Sequence, residues 1–131
     1  MPLTEVVVVG AGPAGLSAAG ALKQRGIDAV LFERDAKVGD RWSRRYERLC
    51  LHTVRRYSGL AHHAMPSAYP KYVPKDLFAR YLAEYAEYFA LDVRHRHVVQ
   101  RVRQAMDGTA WAIDTDQGSW NARAAIIATG H

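Results

Sequence analysis

The sequence predicts an α/β fold built around a parallel sheet. Three observations carry this: the β-branched run "EVVVVG" at residues 5–10, a glycine-rich turn directly after it, and a second apolar run, "DAVLFER", at 28–34. Between the two runs, "LSAAGALKQRG" has helical composition and spacing. Strand, helix and strand within about thirty residues form a βαβ unit, which requires parallel pairing and a right-handed crossover.

Each element follows from its residues. A continuous β-branched run such as 5–10 fits a strand buried on both faces. In the helix, Leu16, Ala19 and Leu22 share one face, and Gly26 supplies the stop. Residues 35–73 carry Gly, Pro, His, Arg and aromatic residues without sustained periodicity, so no element is assigned there. Pro74 opens a clear helix, "PKDLFARYLAEYAEYFA", with Leu77, Phe78, Tyr81, Leu82, Tyr85 and Phe89 on one face and Asp76 near the positive end. "LDVR" is expected as a third parallel strand. "HVVQRVRQAM", "TAWAIDTDQ" and "SWNARA" are expected as antiparallel strands, with turns at Asp107-Gly108 and Gln117-Gly118. "AAIIATGH" then reads as a last buried strand entering a glycine turn.

Composition narrows the function classes. At 131 residues, 49% apolar and 24% charged, the chain fits one soluble globular domain. The lone cysteine, Cys50, excludes an internal disulfide and suits a cytoplasmic setting. The apolar run from Val6 to Leu22 is interrupted by glycines and Pro13, and no stretch approaches the ~20 apolar residues of a membrane span, so no membrane partner is expected. No metal site is expected either. A net charge of +5 raises nucleic acid as a partner. Arginines 41, 44, 45, 48, 55 and 56 crowd one segment, yet it matches no nucleic-acid-binding signature. A solvated face is the leading reading of that segment, contact with an anionic cofactor or with further protein the second, and nucleic acid is not expected.

The glycine turn carries the chemistry. Gly10, Gly12 and Gly15 form G-x-G-x-x-G after a strand and at the mouth of a helix, and Glu33 ends the next strand 18 residues after Gly15. This is the Rossmann-type dinucleotide fingerprint. Gly10 permits the tight turn, and Gly12 lets a diphosphate approach the backbone. Gly15, with Ala19 a turn later, lets the helix pack closely on the sheet. The helix N-terminus offers free N–H groups and partial positive charge to the diphosphate. Glu33 can accept hydrogen bonds from the adenosine ribose and would repel a 2′-phosphate, so FAD or NAD is expected in this site and NADP is not.

The stretch "GAGPAGLSAA…FERDAKVGDRW…YERLCLHT…YPKYVPKDLFARYLAEYAEYF…ATGH" resembles the N-terminal region of flavin-containing monooxygenases, the class B flavoprotein monooxygenases, over essentially the whole chain. The resemblance implies a Rossmann-like FAD-binding domain of the glutathione-reductase type over 1–131, with a three-stranded antiparallel insert at about 97–122. It implies that Gly10, Gly12, Pro13, Ala14 and Gly15 wrap the FAD pyrophosphate, that Glu33 holds the ribose, and that Arg34 lies near the adenine. Trp42 would sit beside the flavin's ribityl and ring region, or else be a core aromatic. His52 and Thr53 match positions next to the isoalloxazine. Family members often have asparagine where His52 stands, so a catalytic role for His52 stays open beside that of a surface histidine. Val98 or Val99 would meet adenine through the backbone, and Ala128, Thr129 and Gly130 would close over the cofactor. The implied reaction is reduction of flavin by NADPH, then delivery of one oxygen atom from dioxygen to a heteroatom or ketone of a small-molecule substrate.

Such proteins continue past this point into a second glycine fingerprint that holds NADPH. After Gly15 this sequence has glycines only at 20, 26, 39, 59, 108, 118 and 130, at no such spacing. The expectation is therefore an incomplete FAD domain, about the first third of an enzyme. It should be inactive alone, weakened in FAD affinity, and liable to self-associate through surface left exposed. NADPH is expected only for the full-length enzyme. The alternatives are a stand-alone, non-enzymatic module binding FAD or NAD, and, behind it, a basic interaction protein.

Overall fold

A computed structural model describes residues 3–130. The elements are β1 (Leu3–Val9), α1 (Pro13–Gln24), β2 (Ala29–Phe32), α2 (Asp40–Ser43), α3 (Arg55–Ser58), α4 (Lys75–Tyr88), β3 (Asp92–Arg94), β4 (Val99–Gln104), β5 (Trp111–Thr115) and β6 (Gly118–Ile127). They form one six-stranded sheet in the order β3-β2-β1-β6-β5-β4. Strands β3, β2, β1 and the second half of β6 run parallel, and β4, β5 and the first half of β6 run antiparallel. The mixed α/β, Rossmann-like architecture expected from the sequence is the one observed.

β1 is buried on both faces, and its alternating residues serve two cores. Val6 and Val8 face Leu16 and Ala19 of α1 and the aromatic face of α4, Phe78, Tyr81, Leu82 and Tyr85. Val7 and Val9 face the other way, onto Ile113 and Ala122, with Val102 and Trp120 packed around them. The helices therefore cover one side of the sheet, and the antiparallel strands furnish the core on the other.

One expectation is corrected. The sequence pattern predicts two strands for "SWNARA" and "AAII", an insert strand and a final parallel one. They are a single ten-residue strand, β6. Its residues 118–122 pair with β5, and its residues 121–127 pair with β1. No residue of β6 supplies a turn signal between its halves, so antiparallel and parallel pairing share one continuous backbone.

The unassigned stretch 35–73 holds only two one-turn helices and two isolated bridges, Cys50 with Pro74 and Leu60 with His63. Side chains of the helices fix it instead. The Tyr85 hydroxyl donates to the Ala61 carbonyl at 2.7 Å, and the Tyr81 hydroxyl donates to the His63 carbonyl. The Leu60 N–H donates to the Tyr81 oxygen at 2.8 Å, and the Ala61 N–H to Ser17 Oγ at 3.0 Å. Gly20 makes this possible, because a Cβ there would stand 2.0 Å from the Tyr85 hydroxyl.

Candidate functional site

β1 has β2 on one side and β6 on the other, so chain order reverses at β1. Open α/β sheets form their ligand crevice at the carboxyl ends of the strands beside such a switch point. A cleft of about 600 Å³ lies there, between the ends of β1, β2 and β6.

Backbone hydrogen bonds close the three strand ends around it. The Gly10 N–H donates to the Phe32 carbonyl at 2.8 Å, and the Ala128 N–H donates to the Val9 carbonyl at 2.8 Å. Gly10 has φ +103°, and a Cβ on it would come within 2.3 Å of the Ala128 carbonyl oxygen. Gly15 is equally constrained, since its Cβ would lie 2.0 Å from the Gly10 oxygen. These two glycines are dictated by the protein itself.

Gly12 differs. It caps α1 with φ −82°, ordinary for any residue, and a Cβ there would meet nothing within 4 Å. Neither backbone conformation nor protein packing requires glycine at this position. It offers no side-chain cap, Pro13 at the first helical position has no N–H, and no acidic residue stands in the first turn. The N–H groups of Ala14 and Gly15 thus have no intrahelical partner and add to the positive end of the helix dipole. The mouth of α1 is open.

Glu33 turns towards that mouth. Its Oε1 accepts from the Ala11 N–H at 2.9 Å and its Oε2 from the Asp35 N–H at 2.8 Å. Each carboxylate oxygen has a second lone pair for another donor. The Glu33 backbone is held as well, donating to the Arg94 carbonyl and accepting from the His97 N–H, both at 3.0 Å.

Of the residues singled out from the sequence, Gly10, Gly12, Pro13, Ala14, Glu33, Arg34, Trp42, Val99, Ala128, Thr129 and Gly130 are brought together as walls of this cleft, with Gly15 buried directly behind. Trp42 lines the cleft, and its ring meets Phe78 edge-on at 4.8 Å. His52 and Thr53 are not among the residues that line the cleft. Both are exposed and outside the cleft walls, because the chain turns there into α3 and the Thr53 hydroxyl hydrogen-bonds Ser58 Oγ at 2.5 Å. His97 was not singled out and lines the cleft, its ring stacked on Phe32 at 5.4 Å. Its position next to Val98-Val99 was the available signal.

Comparison with known proteins agrees with the fold. Residues 7–131 match the family described as pyridine nucleotide-disulphide oxidoreductase. An indole-3-pyruvate monooxygenase of the YUCCA group from Oryza sativa subsp. indica is 37% identical over 121 residues, covering 92% of this chain and 29% of that protein. A flavin-containing monooxygenase from Stenotrophomonas maltophilia superposes with TM-score 0.87 at 32% identity, over 99% of this chain and 39% of that one. An oxidized steroid monooxygenase bound to NADP superposes with TM-score 0.87 at 28% identity, over 99% of this chain and 26% of that one. The chain thus spans well under half the length of each. It belongs to the pyridine nucleotide-disulphide oxidoreductase family, and within it is a flavin-containing-monooxygenase-like member.

Proposed function

We propose that this chain is the FAD-binding portion, residues 1–131, of an NADPH-dependent, flavin monooxygenase-like oxidoreductase of the cytoplasm. One observation carries the reading: the Glu33 carboxylate is hydrogen-bonded to the Ala11 N–H at the open mouth of α1. An acceptor suited to ribose hydroxyls beside an open helix mouth suited to a diphosphate supports a site for the adenosine half of a dinucleotide. Gly12 supports the fit, since the space its missing Cβ leaves is where a diphosphate would meet the backbone.

In this reading the N–H groups of Ala14 and Gly15 hold the diphosphate, Glu33 holds the ribose, and Arg34 and Val99 flank the adenine. Trp42 walls the flavin side, and Ala128, Thr129 and Gly130 close the β6 side. When bound, FAD supplies redox chemistry that side chains lack. The task of these residues is to fix the cofactor and to limit water around it. NADPH and the small-molecule substrate are assigned to the full-length protein, because one glycine fingerprint provides one dinucleotide site.

The isolated chain is expected to take up FAD and to show no NADPH oxidation. Flavin released on heat denaturation, with no turnover, supports this reading. An FAD-dependent NADPH oxidase rate overturns the proposed inactivity, and binding of NAD without any FAD favours a non-enzymatic nucleotide-binding module instead. Self-association is also proposed. Ile127 is 60% exposed, and β6 beyond Ala122 is paired on its β1 side alone among the described residues. An apolar strand with an open edge recruits further chain, which light scattering would detect.

A further inference from the structure

Lys75 is 5% exposed, and the phosphate-loop reading gives it no part. Burying an ammonium costs several kcal/mol unless hydrogen bonds replace its water. Its Nζ donates to Asp76 Oδ1 at 2.8 Å and to the Ser43 carbonyl at 2.8 Å. Ser43 is the last residue of α2, the short helix that carries Trp42. A cation on a terminal carbonyl is favourable for the helix it caps.

The contacts around Lys75 follow helical spacing. Lys75, Phe78, Ala79 and Leu82 lie at i, i+3, i+4 and i+7 on α4, which is one face. Lys75 holds the C-terminal end of α2. Phe78 meets the Trp42 ring edge-on at 4.8 Å. Ala79 receives Gly39, the residue that caps the start of α2 with φ +82°, where a Cβ would stand 2.6 Å from the Ala79 oxygen. Leu82 joins Trp42 in the cleft wall. α4 therefore offers a seat that grips α2 at both ends and supports its tryptophan in the middle. Phe78, Ala79 and Leu82 have the apolar character such a seat needs. Lys75 is the polar exception, and its bond to Ser43 accounts for it.

We infer that Lys75 is a positioning residue for the cofactor cleft: by clamping the Ser43 carbonyl it fixes α2, and so holds Trp42 as a rigid wall. The inference rests on the proposed FAD site only for its functional consequence. The positional claim stands on the free protein.

Two measurements separate these. In protein labelled with fluorotryptophan and free of ligand, fluorine NMR reads Trp42 against Trp111 and Trp120 as internal references. Lys75→Met should shift or broaden the Trp42 resonance and leave the other two in place, and Lys75→Arg, which keeps a donor and the charge, should restore it. Should Lys75→Met not fold, Lys75→Gln, with a shorter donor, should give an intermediate Trp42 shift. An unchanged Trp42 resonance in Lys75→Met, or in Lys75→Gln where Lys75→Met does not fold, overturns the inference. In the second measurement, Lys75→Met should weaken FAD binding by about tenfold, and should add nothing further in a Trp42→Ala background, since the two act through one wall. Full additivity of the two substitutions overturns it. Failure of the wild-type chain to bind FAD would count against the proposed function, and the NMR result would still decide Lys75.

Discussion

Glu33 Oε1 and the Ala11 N–H are 2.9 Å apart, so the end of β2 is tied to the glycine turn after β1 by one charge-assisted bond. The same bond orients the carboxylate over the helix mouth. Glu33→Ala removes the proposed ribose acceptor and releases the turn. FAD binding should weaken by about 1.5–3 kcal/mol, the range for hydrogen bonds to a charged group, as measured by flavin fluorescence titration.

Two of the fingerprint glycines, Gly12 and Gly15, should respond differently to alanine. At Gly12 a Cβ meets nothing within 4 Å and φ is −82°, so Gly12→Ala should fold with nearly unchanged stability and lose FAD affinity. Gly15→Ala drives a Cβ to 2.0 Å from the Gly10 oxygen, so it should lose about 3 kcal/mol of stability, at the upper end of overpacking costs. Thermal unfolding with and without FAD distinguishes the two.

The sequence discloses the sheet and the glycine turn because their signals are local. Val6–Val9 form one β-branched run, and Gly10, Gly12, Gly15 and Glu33 sit at fixed offsets. Residues 35–73 were opaque because their order is borrowed: Ala61 and His63 are held by hydroxyls of Tyr81 and Tyr85, some twenty positions on. Periodicity placed those tyrosines on the buried face correctly, and gave no hint that their polar tips organise a loop. The continuity of β6 was hidden for another reason. Alternation in "SWNARA" and the apolar run "AAII" are different strand patterns, and a strand that is antiparallel at one end and parallel at the other shows both.

Those tyrosines also predict a pH response. Burial first and the neighbouring Tyr81 second, opposed by a hydrogen bond with Ser17, together push Tyr85 up to about 12. Burial raises Tyr81 as well. A phenol whose folded value lies above its unfolded value of about 10 favours the folded state fully below pH 10. That contribution is lost as pH rises towards the folded value. Stability should therefore fall between about pH 10 and 12. Chemical denaturation across that range should give a shallower slope for Tyr85→Phe, which has no phenol to ionise.

Ala90 ends α4 with φ +51°, its N–H donating to the Glu87 carbonyl and the Leu91 N–H to the Ala86 carbonyl. This is a Schellman ending with alanine where glycine is favoured. The left-handed conformation costs a non-glycine residue about 1–2 kcal/mol, and the added freedom of glycine in the unfolded chain costs about 0.4–1 kcal/mol. Ala90 is exposed, so little packing is lost. Ala90→Gly should stabilise the fold by about 0.5–1 kcal/mol, read from the midpoint of urea unfolding.

Competition binding tests the adenosine-diphosphate seat most directly. With FAD bound to the purified chain, ADP should displace it, and ADP carrying a 2′-phosphate should not, because the second phosphate would meet the Glu33 carboxylate. Equal displacement by both, or no binding of FAD or ADP at all, would contradict a seat built from the mouth of α1 and Glu33.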